Sequence, residues 1–404
     1  MLQRFYLSDI EDHLNRFNQM VFISGPRQVG KTTLAKLIGK RNGVFLYLNW
    51  DILDDRALIL SGPKKVVEAL PKDVAFPKKP LLILDEIHKY DGWKTYVKGL
   101  FDLYKDDIFI VVTGSARLDL YKAGGDSLMG RYFHYRIHPL SVGELCQKEE
   151  TKEKLLTKPY PIDDQVWGSL MSFGGFPDPF IKADQTFSTR WKFLKHQQLF
   201  QEDIRELSRV MELGQMEVLA KTLEDEASQM LIYSKIAGKI RVNDKTIRQW
   251  VEILKSLYYC FTIKPWAVNV LRGLTKEPKC YLWDWSSVKD SGPRIENFVA
   301  SHLLKATHYW TDIGLGNYTL HYIRDAYKRE VDFLVAKDNV PWMLIEVKSS
   351  YNQSLSKNLI YFHETLKTQH AFQVAYDLPF QEIDAFELKS PKIISMRSFL
   401  SQLP

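Results

Sequence analysis

Five short apolar runs in the first 140 residues alternate with stretches of helical period. They lie at residues 20–24, 45–49, 81–84, 108–112 and 132–137. A continuous apolar run of this length is typical of a strand that is buried on both faces of a sheet. Such runs, separated by helices, predict a three-layer α/β domain.

The first apolar run leads directly into a glycine-rich turn. Residues 25–32 match G-x-x-x-x-G-K-[ST] at every fixed position, between a predicted strand and a predicted helix. Backbone N–H groups of such a turn can surround phosphates, Lys31 would reach the β- and γ-phosphates, and the Thr32 hydroxyl would ligate Mg²⁺. We therefore expect ATP to bind at Gly25, Pro26, Arg27, Gln28, Val29, Gly30, Lys31, Thr32 and Thr33.

Two later runs end in polar residues. Asp85 and Glu86 follow residues 81–84, and Thr113 and Ser115 stand at the end of the 108–112 run. Ligands of open α/β sheets bind at the carboxyl ends of the strands. We expect Asp85 to hold Mg²⁺ through water, Glu86 to polarise the attacking water, and Thr113 or Ser115 to sense the γ-phosphate.

Four segments together carry a family resemblance: GPRQVGKTT, LDEIHK, TGSARL and GRYFHYRIHPLS. They resemble the AAA-type ATPases of archaea and bacteria whose C-terminal domain resembles restriction endonucleases. The resemblance implies that the Thr113 strand lies between the P-loop strand and the Asp85 strand. It also implies hydrolysis in a homo-oligomer, with an arginine from a neighbouring subunit reaching the γ-phosphate. Arg131 is the first candidate for that arginine, and Arg117 is the second.

The middle of the chain predicts two further parts. Residues 146–213 read as a helical lid or connector, and residues 214–270 as helix, short helix, turn, longer helix and hairpin. That order is typical of a winged helix-turn-helix. Eight Lys or Arg but only three acids fall within residues 241–280, so nucleic acid, and DNA in particular, is the expected partner. The predicted phosphate contacts are Lys245, Arg248, Lys264 and Arg272; a protein-binding adaptor is the alternative.

The last part of the chain, residues 271–404, contains a second group of acids. Asp332 lies on one predicted strand, Glu346 and Lys348 share a face of the next strand, and Glu296 lies on an upstream helix. This arrangement resembles the core of the PD-(D/E)XK nuclease superfamily. Glu296, Asp332 and Glu346 would then ligate Mg²⁺, and Lys348 would position or deprotonate the attacking water.

Composition and charge add only broad bounds. The 404 residues are 45% hydrophobic and 26% charged, which is typical of a globular protein of several domains. No apolar run reaches the ~20 residues that a membrane span needs. The N-terminus is too mixed in charge for a secretory signal, and the three cysteines are far apart, so we expect a cytoplasmic protein without a membrane partner.

The predicted fold class is α/β, in four parts. A RecA/AAA-like three-layer P-loop NTPase domain (1–145) is followed by the helical lid (146–213), the winged helix (214–270) and an α/β restriction-endonuclease-like domain (271–404). The predicted function is Mg²⁺-dependent ATP hydrolysis that is coupled to nucleic-acid binding, and to cleavage if the second site is active. The alternative is a regulatory NTPase that controls assembly with a protein partner, with the C-terminal domain as an inactive docking module.

Overall fold

The computed structural model describes residues 4–71, 79–114, 128–146, 157–207, 212–267, 277–389 and 391–404. The chain divides into two compact units, Met1–His138 and Pro139–Pro404. Ser115, Arg117 and Arg272, for which the sequence predicts roles, lie outside the described residues.

The first unit is built around a parallel five-stranded sheet. Its elements are α1 (Tyr6–Arg16), β1 (Met20–Ser24), α2 (Lys31–Asn42), β2 (Phe45–Asn49), α3 (Leu53–Leu60), α4 (Pro63–Glu68), β3 (Leu81–Asp85), a 3₁₀ turn (Ile87–Lys89), α5 (Trp93–Tyr104), β4 (Phe109–Thr113) and β5 (Tyr132–Arg136). The strand order is β2-β3-β4-β1-β5. The Thr113 strand therefore lies between the P-loop strand and the Asp85 strand, as the family resemblance implied.

Burial on both faces explains why hydrophobic and polar residues do not alternate along the central strands. Every residue of β1 and of β3 is buried, because helices cover both faces of the sheet. The parallel registers pair Asp85 with Thr113 and Ile23 with Thr113. The carboxyl ends of β1, β3 and β4 consequently lie side by side at the same end of the sheet. The residues that follow each strand can therefore act on a common ligand.

The second unit begins with helices. They are α6 (Val142–Cys146), α7 (Asp164–Phe173), α8 (Pro177–Lys182), α9 (Gln185–Gln198), a π turn (Leu199–Asp203), α10 (Ile204–Leu207), α11 (Leu213–Asp225), α12 (Tyr233–Ile240) and α13 (Asp244–Ser256). Residues 139–146, which the sequence assigned mostly to the ATPase domain, belong to this unit. The buried Lys305 amine holds them by donating to Ser141 Oγ at 2.8 Å and to Glu144.

A mixed seven-stranded sheet completes the second unit. Its elements are β6 (Cys260–Pro265), β7 (Lys279–Leu282), a 3₁₀ turn (Trp285–Ser287), α14 (Ser291–Asp312), β8 (Tyr318–Arg324), β9 (Glu330–Lys337), β10 (Val340–Lys348), α15 (Lys357–Leu366), β11 (His370–Ala375), a 3₁₀ turn (Ala385–Glu387), β12 (Lys392–Ser395) and α16 (Met396–Ser401). The strand order is β12-β11-β10-β9-β8-β6-β7.

Strand β6 links the helices to this sheet. It pairs with β7 as an antiparallel hairpin and with β8 as a parallel neighbour. Helices α11, α12 and α13 share one apolar core with the hairpin, which contributes Cys260, Cys280 and Leu282. The hairpin that follows α13 therefore ends at 282, beyond the residue 270 at which the sequence placed the end of this module. In the described part of the chain, no helix combines the length and apolar character needed to cross a membrane.

Candidate ATP site and acidic cluster

The P-loop connects β1 to α2 through backbone conformations that favour glycine. Gly25 has φ 147° and Gly30 has φ 99°. A Cβ on Gly25 would lie 2.3 Å from the carbonyl oxygen of Ile137, so the close passage of backbone here excludes any side chain. The predicted nucleotide-binding residues 25–30 form the turn, and Lys31, Thr32 and Thr33 form the first turn of α2.

Lys31 is buried over the turn. Its amine donates to the carbonyl oxygens of Gly25 at 3.0 Å and Pro26 at 2.7 Å. Burial lowers the pKa of Lys31 to about 8, although the charges of Glu86 and Asp85 oppose this effect. The amine is therefore poorly solvated and is placed where an anionic phosphate would stabilise its charge.

Asp85 is the centre of a hydroxyl network. Its Oδ2 accepts hydrogen bonds from Thr32 Oγ1 at 2.8 Å and from the Tyr47 hydroxyl at 2.7 Å. Its Oδ1 accepts a hydrogen bond from Thr113 Oγ1. Hydroxyl and carboxylate oxygens are the donor types that Mg²⁺ prefers, so this set fits the ion that the sequence predicts.

Glu86 stands beside this network in a strained conformation. Its φ is 56°, a left-handed value that is uncommon for a residue other than glycine and that occurs often at functional sites. Its backbone N–H donates to the Thr113 carbonyl at 3.1 Å, which fixes it to β4. Burial raises the pKa of the Glu86 carboxyl, partly offset by Lys31 and Lys89. A raised pKa suits a carboxylate that must accept a proton from water.

Tyr47 is a site residue that sequence reasoning missed. It lies on β2, whose register pairs Asn49 with Asp85. Burial and then the Asp85 carboxylate raise the pKa of the Tyr47 hydroxyl, which therefore remains a hydrogen-bond donor. The available signal was that a tyrosine near the carboxyl end of a parallel strand lies at the same end of the sheet as the polar residues that end the other strands.

Arg131 lies near the amino-terminal ends of the strands, at the end of the sheet opposite the P-loop. Its carbonyl accepts from the N–H of Met20, at the start of β1, whereas the P-loop follows the end of β1. Its guanidinium forms two hydrogen bonds with Asp102, at 2.8 and 3.0 Å. Arg131 therefore does not reach the phosphate site of its own subunit, and its role toward a neighbouring subunit stays a prediction.

The second group of predicted site residues converges in the second unit. Ile345 pairs with Phe333, which places Asp332 opposite Glu346 on the adjacent strands. Lys348 donates to Glu346 Oε1 at 2.7 Å, and Asp332 Oδ2 accepts the Val347 N–H at 2.9 Å. The strand pair thus has the geometry that the sequence predicted.

A further cation, Lys279, enters this acidic cluster from β7. Its amine lies 3.2 Å from Glu296 Oε1, 2.8 Å from Glu330 Oε1 and 3.6 Å from Asp332 Oδ1. Burial lowers the pKa of Lys279, but these three carboxylates outweigh burial and raise the pKa above its ordinary value. Lys279 is thus a charged, buried partner of two of the predicted metal ligands.

Two carboxyls of the predicted metal site differ from ordinary surface acids. Burial, then Asp332, raises the pKa of Glu296 to about 7, and the same two causes raise that of Glu346 to about 7. Across the described ranges, no group of three or more His, Cys, Asp or Glu side chains has an arrangement that could hold a metal ion. The residues present do not fit the predicted Mg²⁺ while Lys279 holds this position.

The predicted nucleic-acid contacts have different environments. Lys245 is exposed on α13, which Asn243 caps by accepting the Thr246 N–H at 2.7 Å. Arg248 is exposed too, but it is paired with Asp244 at 2.8 Å and lies 4.0 Å from the centre of the Tyr233 ring. Lys264 is exposed on β6.

Comparison with known families agrees with the first of these sites. Residues 17–146 match a family described as an AAA domain. The match contains the P-loop, Asp85, Glu86 and Thr113, so this part of the chain is an AAA-type P-loop ATPase domain, and ATP binding and hydrolysis is the activity it supports. Residues 165–288 and 291–391 match two families described as domains of unknown function, DUF8612 and DUF4143.

Individual relatives are distant. The uncharacterized proteins Mb2031c of Mycobacterium bovis and Rv2008c of Mycobacterium tuberculosis are each 21% identical over 355 residues, which cover 84% of this chain and 72% of theirs. Similar solved structures include the Walker-type ATPase paby2304 of Pyrococcus abyssi (16% identity, 71% of this chain and 95% of that one, TM-score 0.45). Another is AMPPCP-bound DnaA from Aquifex aeolicus (15% identity, 62% and 86%, TM-score 0.31).

Proposed function

We propose that the protein is a Mg²⁺-dependent ATP hydrolase whose nucleotide state controls the binding of DNA. The observation that carries the ATP part is the convergence of Lys31, Thr32, Asp85, Glu86 and Thr113 at the carboxyl edge of one parallel sheet. This convergence combines a phosphate-binding cation, oxygen donors for Mg²⁺ and a carboxylate for water activation. When bound with ATP, Mg²⁺ neutralises charge on the β- and γ-phosphates.

The side chains of the site divide the chemistry among them. Lys31 lies over the P-loop and is placed to exchange its two backbone acceptors for phosphate oxygens. Thr32 and Asp85 would hold Mg²⁺, and Tyr47 orients the Asp85 carboxylate by donating to the same oxygen as Thr32 does. Glu86 would accept a proton from the attacking water, and Thr113 links Asp85 to the γ-phosphate position.

The DNA part rests on α11, α12, α13 and the β6–β7 hairpin. Their order is that of a winged helix, and α13 would be the recognition helix. Buried Ile247, Trp250 and Val251 hold one face of α13 against the core, and Lys245 and Arg248 lie on the exposed side. Lysines and arginines on one exposed face suit the phosphates of a duplex.

The C-terminal sheet supports a nuclease-like fold for the rest of the unit. Helix α14 supplies Glu296, and the antiparallel pair β9–β10 supplies Asp332, Glu346 and Lys348. These residues would occupy the four positions of a PD-(D/E)XK core. We propose this fold as the origin of the domain, and we treat cleavage separately because Lys279 occupies the acidic cluster.

A second candidate is a regulatory NTPase that assembles with a protein partner. The observation that favours it is that Arg248 is already paired within the chain, with Asp244 and with the ring of Tyr233. A basic residue engaged in this way has less to offer a phosphate. In this reading the C-terminal domain is a docking module, and ATP changes how subunits associate.

One set of reactions separates the two candidates. ATP hydrolysis is measured with and without duplex or single-stranded DNA at two salt concentrations, for wild type, Lys31→Ala and Glu86→Gln. DNA binding by Lys245→Gln and Lys264→Gln should show a shallower dependence on salt than wild type, because each lost phosphate contact reduces the slope by about 1. Hydrolysis that ignores DNA, with no salt-dependent binding, would refute the DNA proposal and leave the protein-partner candidate.

A further inference from the structure

We propose that Lys279 is an internal cation that replaces the divalent metal ion of a nuclease-like site, so that the acidic cluster is closed to metal in this protein. The inference deepens the proposed function, since it rests on the nuclease-like assignment of the C-terminal domain. It predicts that removing one amine allows the surrounding carboxylates to draw together around a divalent cation, an arrangement that they do not have in the described structure.

The Lys279 amine lies among the carboxylates that a metal ion would need. It lies within 3.6 Å of three carboxylate oxygens, which come from α14 and from two positions of β9. Two of those oxygens, on Glu296 and Asp332, belong to predicted metal ligands. A Mg²⁺ ion would need to approach them to ~2.0–2.1 Å, which would place it against a cation in a poorly solvated site.

Lys279 is also held in this position by its surroundings. The residue is 5% exposed. Its backbone pairs with Ile263 on β6 and also forms a bridge with Met230, so β7 is fixed on both sides. The Tyr322 ring lies 5.7 Å from its amine. A side chain packed in this way does not leave the cluster without disturbing the hairpin.

Oxygen donors would remain in the acidic cluster after removal of the amine. Tyr281 donates to Glu296 Oε1 at 2.8 Å and keeps that carboxylate oriented toward the cluster. Among the described residues, the buried Oε2 of Glu346 has no hydrogen-bond partner. Without the amine, Glu296, Asp332 and Glu346 would still offer the hard oxygen donors that Mg²⁺ or Mn²⁺ prefers, and they would have to move together to bind an ion.

The test uses nucleotide-free full-length protein and Mn²⁺ as the probe, with free Mn²⁺ measured by its electron paramagnetic resonance signal. The variants are Lys279→Met, which removes the charge but retains length, and Lys279→Met combined with Asp332→Asn. Asp332→Asn alone corrects for binding at the P-loop site. Lys289→Met is the matched control, because the Lys289 side chain is 68% exposed on the surface of the same unit.

We expect wild type, Lys289→Met and Asp332→Asn to bind the same amount of Mn²⁺. Lys279→Met should bind one additional equivalent, and the double variant should lose it. A wild-type equivalent that disappears in Asp332→Asn would overturn the proposal, as would a folded Lys279→Met that gains nothing.

If circular dichroism shows that Lys279→Met does not fold, the comparison of wild type with Asp332→Asn decides the question. Equal binding supports a closed cluster, and an Asp332-dependent equivalent refutes it. Neither outcome depends on ATP hydrolysis or on DNA binding, so failure of the proposed function would be recognised separately.

Discussion

Replacing Lys31 with methionine tests whether the P-loop amine is held at a cost to stability. Methionine has nearly the same length and removes only the ammonium group. Lys31 is buried, and among the described residues its amine donates to two backbone carbonyls and to no carboxylate. We expect Lys31→Met to abolish ATP binding and, without nucleotide, to make the first unit more stable than wild type.

The magnitude follows from the pKa of the buried amine. Burial lowers it from 10.5 to about 8, and this gap corresponds to roughly 3 kcal/mol at about 1.4 kcal/mol per pH unit. The substitution also leaves the carbonyls of Gly25 and Pro26 without their donor, at a cost of about 1 kcal/mol each. The net expectation is a gain of about 1 kcal/mol at pH 7, or a rise of roughly 3 °C in the melting temperature.

The pH dependence gives a sharper result than the sign at pH 7. The folded pKa lies below the unfolded value, so between about pH 8 and 10.5 the unfolded chain binds more protons than the folded one. Stability of wild type therefore gains a contribution as pH rises through this window. Lys31→Met lacks that contribution, and its advantage should shrink and then reverse.

The assay is thermal unfolding of both proteins from pH 7 to pH 10, read as the difference between them so that all other titrating groups cancel. Lys40→Met is the control, because Lys40 is exposed on the same helix. A constant difference between wild type and Lys31→Met across this range would refute the reasoning, because it would show that the Lys31 amine is solvated. A variant less stable than wild type at pH 7 would show that the carbonyl contacts outweigh burial.

Three further substitutions test other parts of the structure. Gly25→Ala should destabilise the first unit by more than ~2 kcal/mol because its Cβ would lie 2.3 Å from a backbone oxygen. The control Gly99→Ala, in open space on α5, should be neutral or stabilise the unit by about 1 kcal/mol. Denaturant unfolding compares the two variants, and equal effects on stability would contradict the clash. Arg131→Ala should abolish hydrolysis by the assembled protein while nucleotide affinity is retained, and an unchanged turnover rate would remove Arg131 as the trans-acting arginine. Lys305→Met should cost the second unit about 3–5 kcal/mol because Glu144 would remain buried without its cation, and a melting temperature equal to that of wild type would argue against this ion pair.

The AAA-type domain was predictable because its chemistry lies in contiguous motifs. Residues 25–32 specify both the turn and its neighbours, and a buried parallel strand that ends in acids leaves little choice about where Asp85 and Glu86 lie. Tyr47 was not predictable in this way. Its contact with Asp85 depends on which strand is the neighbour of β3, and strand order is a property of the whole sheet.

The boundary between domains was harder to infer for a related reason. A hairpin is recognised from sequence when its two strands are joined by a short turn. Here β6 and β7 are separated by residues 266–278, and the prediction ended the winged helix at 270. Strand β6 also pairs with β8 through Lys264 and Pro265, so one strand both contributes Cys260 to the core of α11–α13 and extends the C-terminal sheet. Because one strand belongs to both parts, no linker of distinct composition separates them in the sequence.

Lys279 shows why a correct motif can lead to an incomplete chemical inference. The spacing of Asp332, Glu346 and Lys348 correctly predicted adjacent strands with their polar groups on one side. It contained no information about Lys279, which reaches the same cluster from β7, more than fifty residues earlier in the sequence. In the sequence, Lys279 is one of the eight basic residues of segment 241–280 that predict a basic surface. In the fold, its charge is instead paired with buried carboxylates. The net charge of a segment therefore predicts a binding surface only after each cation has been placed, and this one has to be subtracted from the surface offered to DNA.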